Sequence, residues 1–288
     1  MTSRTLAIIG GSGLYEMEGL SDVTEHVVET PFGAPSDAVV SGMLDGTRLL
    51  FLPRHGRGHR LSPSRINYRA NIFALKKLGA QQLISVSAVG SLQEDIAPGD
   101  LLLPDQYIDR TVGRPRTFFD DFGMVAHVGF SDPVDAALAA SLAKASTATE
   151  ARVHRTGTYV CIEGPQFSTR AESLLFRSWG CHVIGMTSLP EARLAREAEL
   201  PYANLSLVTD YDCWHEGHDA VTLDAVLAVM HQNVAKARAI LRKVAAILPD
   251  PAQSTSSQAL SRAIVTAPEH ISAEARAALA PLIGKYLS

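Results

Sequence analysis

Two aspartates stand two residues apart in Val208-Thr-Asp-Tyr-Asp-Cys-Trp214, directly after the apolar run 202–208. Residues i and i+2 of an extended chain point the same way, so Asp210 and Asp212 present paired carboxylates. Paired acceptors of this kind suit an exocyclic amine beside a protonated ring nitrogen. A turn or helix-capping aspartate accounts for one of them, but not for both beside Tyr211 and Trp214. Four further segments are unusually polar for strand ends: Gly10-Gly-Ser-Gly13, Arg54-His-Gly-Arg-Gly-His59, Ser87-Ala-Val-Gly-Ser91 and Met186-Thr-Ser188. Glycine lets backbone approach a ligand, Ser and Thr supply hydroxyl donors, and Arg54 supplies a planar fork suited to an oxyanion. Together they read as an oxyanion cradle assembled from separate strands.

Simpler readings compete with each motif. Gly-Gly-Ser-Gly by itself is an ordinary turn. As a dinucleotide fingerprint beginning at Gly11 it lacks the third glycine, because that position is Glu16, and the Gly-Lys-Ser/Thr ending of a P-loop is absent. A non-catalytic nucleotide-binding domain built on residues 10–13 would need neither Arg54 nor Asp210. His55 and His59 are four apart, but Gly56 and Gly58 oppose a helix and no third ligand follows, so no metal is expected. His215-Glu-Gly-His218 is one residue short of the zinc-protease pattern and reads as a polar surface loop. The arginines and aromatics of 109–122 would suit a nucleic-acid loop, which the overall charge opposes.

The elements that must position these residues alternate. Short apolar runs at 6–9, 83–89, 159–162, 182–186 and 202–208 read as buried strands. Asp45-Gly46 between 39–44 and 47–52 is a two-residue hairpin signal. Helical spacing appears over 64–78, stopped by Gly79, and over 169–179. Asp132 with Pro133 opens a helix of about 14 residues, and Pro190 opens one running to about Glu199. Thr222 caps a long amphipathic helix with Val226, Leu227, Met230, Val234, Ala237 and Leu241 on one face. This alternation argues an α/β fold with a largely parallel or mixed sheet, whose ligands bind beyond the carboxyl ends of strands. Residues 250–258, rich in Pro, Ser and Gln, read as a linker, and 272–287 as a small terminal helix. The expected division is a domain over 1–249 and a linker with helical tail over 250–288.

The 288 residues are 46% hydrophobic and 19% charged, which allows a large core and excludes wholesale disorder. A formal net charge of −4 argues against a nucleic-acid-coating surface. Cys161, Cys181 and Cys213 fit neither a disulfide framework nor a CxxC zinc pattern, which favours a reducing compartment. The first apolar run is four residues long, too short for a signal peptide, and a membrane helix needs roughly 20 apolar residues. A cytoplasmic protein with no membrane partner is expected.

With the motifs in hand, the chain resembles the 5′-methylthioadenosine phosphorylase family, in the trimeric branch of the purine nucleoside phosphorylases. The resemblance is carried by IIGGSGLY at 8–15, PRHGRGH at 53–59, NYRANIFALK at 67–76, SAVGSL at 87–92, PGDLLLPDQYIDRT at 98–111, EGPQFSTRAE at 163–172, IGMTSLPEARLARE at 184–197 and TDYDCW at 209–214. It runs from about residue 5 to 247. It implies a single α/β domain with a mixed, partly barrel-like sheet flanked by helices, assembled as a homotrimer. The implied reaction is reversible phosphorolysis of 5′-methylthioadenosine to adenine and 5-methylthioribose 1-phosphate, with phosphate as co-substrate and no metal or organic cofactor.

Residue by residue, the resemblance implies phosphate binding by Ser12, Arg54, His55, Ser87, Ala88 and Thr187. It places Met186 against the ribose, and Phe167, Ser168, Asp210 and Asp212 around the purine. His59, Leu223 and Val226 line the 5′ pocket, and His127 reaches a neighbouring subunit's site. Leu223 stands where relatives carry a smaller valine, and Ser12 and Ser87 where relatives also use threonine. Adenine anion is a poor leaving group, so proton donation to N7 is needed, and Asp210 is the candidate donor. The alternative within the fold is a 6-oxopurine nucleoside phosphorylase. Asparagine at 210 would donate to O6, whereas the aspartate favours 6-aminopurines.

Overall fold

The structure, a computed structural model, describes residues 4–11, 14, 17–147, 149–215 and 223–287, with the side chains of 223–228, 230 and 231 outside the description. In chain order the strands are β1 (Thr5–Gly10), β2 (Ser21–His26), β3 (Val39–Leu44), β4 (Thr47–Pro53), β5 (Gln82–Ser91), β6 (Leu101–Leu102), β7 (Gln106–Arg110), β8 (Val153–His154), β9 (Thr158–Ile162), β10 (Val183–Gly185) and β11 (Tyr202–Asp210). The main helices are α1 (Tyr68–Lys77), α2 (Ala136–Ser146), α3 (Arg170–Ser178), α4 (Ser188–Glu197) and α5 (Leu223–Ala246).

One mixed sheet runs β2-β3-β4-β1-β5-β10-β9-β7 and forks at β5, which also carries β11 and through it β6 and β8. The fork makes the sheet partly barrel-like. It follows from the length of β5. Residues 82–85 pair with β1, Leu83–Gly90 pair with β11, and only Gly90 and Ser91 pair with β10. On the β1 side, residues 86–89 therefore face a gap that opens after Ser85 and closes at Gly90. A gap where neighbouring strands diverge is where open α/β sheets hold ligands.

Alternation along β1 divides the core. Leu6 and Ile8 pack with Leu138 of α2 and Ile240 of α5, while Ala7 and Ile9 pack with Ile72 of α1 and Ala195 of α4. Period-two side chains thus serve a helix layer on each face. Among the described residues no helix is long and apolar enough to cross a membrane.

Several expectations need correction. The helix expected from Asp132 starts at Ala136, because Asp135 is the residue whose carboxylate accepts the Leu138 N–H, at 2.8 Å. The stretch 250–258 forms two 3-10 turns, and Ser254 Oγ donates to Asp135 at 2.6 Å. The single helix expected over 272–287 is broken into α6 (Ala273–Ala278), α7 (Ala280–Ile283) and a 3-10 turn. Pro281, lacking an N–H, cannot continue α6. Leu279, Leu282 and Ile283 join the main core, and Glu199 ties the tail down by accepting from Leu260 N–H, Lys285 and Tyr286.

Candidate active site

The gap along β5 is bordered by the ends of β1, β4, β10 and β11, and these ends carry most of the residues singled out in the sequence. β4 runs into Arg54, whose backbone N–H donates to Gly10 O at 2.9 Å and so ties the Arg54 turn to the end of β1. Ser12 lies outside the described residues. The Arg54 side chain is 2% exposed and turned inward. Its fork, expected to face an oxyanion, is engaged by Glu191, with Nε to Oε2 at 2.9 Å and Nη2 to Oε1 at 3.1 Å. Nη2 also donates to Ser85 Oγ at 2.7 Å, and Val86 O takes one of the two Nη1 N–H bonds at 3.0 Å. Burial opposes the Arg54 charge, but Glu191 more than offsets this and the pKa stands above the ordinary arginine value.

His55 Nδ1 lies 2.8 Å from Leu61 O. A carbonyl only accepts, so Nδ1 carries the proton and Nε2 of the neutral ring is an acceptor. Burial, helped by Arg54 and working against the Leu61 bond, lowers the His55 pKa to about 4, so the ring is neutral near pH 7. The exposed His59 ring stacks on it at 4.1 Å. Among the described residues no group of three or more His, Cys, Asp or Glu is placed to hold a metal.

On β5, Ser85 and Ser87 point to one side. Across the parallel ladder β11 sets Asn204 opposite Ser85 and Ser206 opposite Ser87. Ala88 is half-buried beside them. Thr187 precedes α4 as its N-cap with no side-chain capping bond, which leaves its hydroxyl to other partners. Leu189 is non-helical (φ −121, ψ 135), so the regular coil of α4 begins at Pro190 as its sequence suggests.

The carboxylate pair forms where β11 ends. Asp210 Oδ2 accepts from Thr209 Oγ1 at 2.7 Å and Oδ1 from Asp212 N–H at 2.8 Å. Asp212 itself has φ +50, so the extended run has turned there. Burial raises the Asp210 pKa, and burial with the neighbouring Asp210 charge raises that of Asp212 to about 6. Gly90 makes room for the pair: a Cβ there would lie 2.8 Å from Asp210 Oδ1.

The Cys213 thiol donates to Ser168 O at 3.3 Å, which joins the Phe167-Ser168 loop to the carboxylate turn. Ser168 Oγ is buried with no hydrogen-bond partner among the described residues, and Phe167 is 53% exposed. Met186 packs under Gly164, where φ is +67 and a Cβ would meet Met186 Sδ at 2.5 Å. His127 is exposed on a loop whose backbone N–H donates to Ala263 O at 2.8 Å in the C-terminal tail. The side chains of Leu223 and Val226 lie outside the described residues, although Leu223 begins α5.

Three functional candidates escape the motif reading. Glu191 and Asn204 sit among apolar neighbours; the only signal is a polar residue where the local pattern calls for an apolar one. Arg114 pins the Met186 and Leu189 carbonyls at 2.7 and 2.8 Å and pairs with Glu163 at 3.1 Å. Burial acts against its charge, but Tyr68, Cys161 and Glu163 raise its pKa overall.

This forked α/β sheet, with hydroxyls at one end of a gap and two carboxylates at the other, is that of a phosphorylase: the phosphorylase superfamily profile matches residues 5–246. S-methyl-5′-thioadenosine phosphorylase of Geobacter sulfurreducens is 56% identical over 285 residues, covering 99% of each chain. The protein of that name from Thermosynechococcus vestitus is 53% identical over the full length of both. The crystal structure of a methylthioadenosine phosphorylase from an antarctic soil metagenomic library superposes with a TM-score of 0.92 at 47% identity, covering 98% of this chain and 99% of that one. The Schistosoma mansoni methylthioadenosine phosphorylase in complex with adenine gives 0.86 at 35% identity, covering 91% and 99%. The chain belongs to the S-methyl-5′-thioadenosine phosphorylase family of that superfamily.

Proposed function

We infer that this protein catalyses the reversible phosphorolysis of 5′-methylthioadenosine to adenine and 5-methylthioribose 1-phosphate. One observation carries the reading: β5 brings the Ser87 hydroxyl and, three residues on, Gly90 beneath the Asp210–Asp212 pair onto one strand, a layout that suits an anion at one end and a purine at the other. Phosphate is assigned to Ser12, Arg54, His55, Ser87, Ala88 and Thr187. Arg54 acts there through its second Nη1 N–H, and His55 Nε2 accepts a hydrogen bond from the O–H of hydrogen phosphate. Met186 packs on the ribose, and Phe167, Ser168, Asp210 and Asp212 surround the base. His59, Leu223 and Val226 form the 5′ pocket.

The C1′–N9 bond breaks as a phosphate oxygen bonds to C1′. The negative charge left on the purine is neutralised by a proton passing from Asp210 to N7, and burial, by raising the Asp210 pKa, favours the protonated form from which that step starts. Bound phosphate also stabilises the positive charge developing at C1′. Phosphate is a co-substrate, and this route uses no metal or organic cofactor. The functional unit is a cytoplasmic homotrimer in which His127 completes a neighbour's site, acting in purine and methionine salvage without nucleic-acid or membrane partners.

The deciding experiment is a panel of methylthioadenosine, adenosine, inosine and methylthioinosine with and without phosphate. Phosphate-dependent adenine release, fastest from methylthioadenosine, is expected. Preference for the 6-oxo substrates, or no phosphate dependence, refutes the reading.

A further inference from the structure

Asn204 is 1% exposed in the middle of β11, and none of the roles above falls to it. Ser206 Oγ donates to its Oδ1 at 2.6 Å. On the other side its Nδ2 lies 3.2 Å from each of three hydroxyl oxygens, those of Ser85, Ser87 and Ser188. Ser85 Oγ also receives the Arg54 fork, which Glu191 holds from behind. One amide thus links the buried ion pair to the serine of the phosphate end.

A hydroxyl has one hydrogen and two lone pairs, so its partners decide which it presents. The Asn204 amide has two N–H for these three oxygens, and Ser85 Oγ already accepts from Arg54, which leaves Ser87 and Ser188 as its natural acceptors. When an amide N–H donates to Ser87 Oγ, one of that oxygen's lone pairs is taken and its own hydrogen must point away from the amide. Asn204 approaches Ser87 from the β11 side, so away from the amide means toward the β1 side of β5, where the gap lies. An anion requires donors there, and a serine free to rotate would present a lone pair part of the time. We propose that Asn204 is a positioning residue for phosphate capture: its amide fixes the Ser87 hydroxyl as a donor aimed at the co-substrate. This rests on the assignment of phosphate to Ser87, so the test separates the two.

The experiment is a double-mutant cycle on the full-length protein, reading KM for phosphate, KM for methylthioadenosine and adenine affinity. S87A alone tests the underlying assignment and is expected to raise the phosphate KM about tenfold, as for loss of a hydrogen bond to a charged group. N204L keeps the side-chain outline and removes the amide. It is expected to raise the phosphate KM by a similar factor while adenine affinity stays within about twofold. In the S87A background N204L should add almost nothing, because both changes remove one interaction.

An unchanged phosphate KM in S87A overturns the assignment and the proposal with it. If S87A behaves as expected, the proposal alone is overturned by additive effects, or by an N204L that weakens adenine and phosphate equally. N204A carries the same cycle if N204L does not fold.

Discussion

Replacing Asp210 by asparagine keeps the outline of the side chain and removes the carboxyl proton. The structure fixes how the amide must sit. The Asp212 N–H, which meets Oδ1 at 2.8 Å, can only donate, so the asparagine oxygen takes that place. The amide nitrogen then falls at Oδ2, facing Thr209 Oγ1, whose hydroxyl can turn wholly to Val89 O at 3.2 Å. Every buried partner stays satisfied, so folding stability should change by about 1 kcal/mol or less. Catalysis should change far more. A positioned proton donor contributes about 10²–10⁴-fold, or roughly 3–5 kcal/mol of barrier. The amide N–H is, however, a permanent donor suited to a purine O6. The assay compares kcat/KM for adenine release from methylthioadenosine with that for hypoxanthine release from methylthioinosine. The first should fall by two to four decades and the ratio should move toward the 6-oxo substrate. A ratio equal to wild type, in a protein that melts normally, refutes Asp210 as the group that reads and protonates the base.

Arg54→Ala leaves Glu191 buried without its cation, which should cost about 3–5 kcal/mol of stability, seen as a lowered Tm. Its phosphate KM should rise while adenine affinity is nearly kept; a wild-type Tm and phosphate KM would count against both roles. Asp212 binds its proton more tightly in the native state, at about 6 against 3.8 unfolded. Its stabilising contribution is therefore full below the unfolded value and is lost as pH rises through 6. Asp212→Asn should then raise stability at pH 7 to 8, by about 3 kcal/mol at most, with the gain vanishing near pH 4 in thermal melts. Sedimentation should show a homotrimer, with His127→Ala raising the nucleoside KM more than the phosphate KM; a fully active monomer would contradict the shared site. Leu223→Asp should reduce efficiency on methylthioadenosine much more than on adenosine, and an equal fall on both would make Leu223 purely structural.

The strands that frame the site are readable because they are buried on both faces. β1, β5 and β11 appear as short apolar runs that end where the chain turns polar. The β3–β4 hairpin is equally plain, since Asp45 and Gly46 both take positive φ, at 48° and 81°. β2 is not readable: its residues, Ser-Asp-Val-Thr-Glu-His, lie on an exposed sheet edge, where no apolar alternation is required. β6 and β8 are two residues each, too short for any periodic signal.

The polar strand ends disclose most of the candidate site, but not the way it is held. Glu191, which takes the Arg54 fork, is 137 residues away in the chain. No local pattern connects an arginine after one strand with a glutamate inside a later helix. Asn204 and Ser206 do leave a trace, two polar residues at alternate positions of the otherwise apolar run 202–208. That trace becomes interpretable only when the register sets them against Ser85 and Ser87.

The fork at β5 also bears on how activity is acquired as the chain folds. β1 and β11, which flank β5, come from opposite ends of the matched domain, and the gap between them does not exist until both have paired. Non-local strand pairing of this kind is slow, because the chain must close long loops before any contact is gained. Hairpin β3–β4 and helix α1 can form early, yet neither contains a working part of the site. Regain of phosphorolysis on refolding should follow the slowest phase of sheet formation, and a fragment ending before Tyr202 should have none of it.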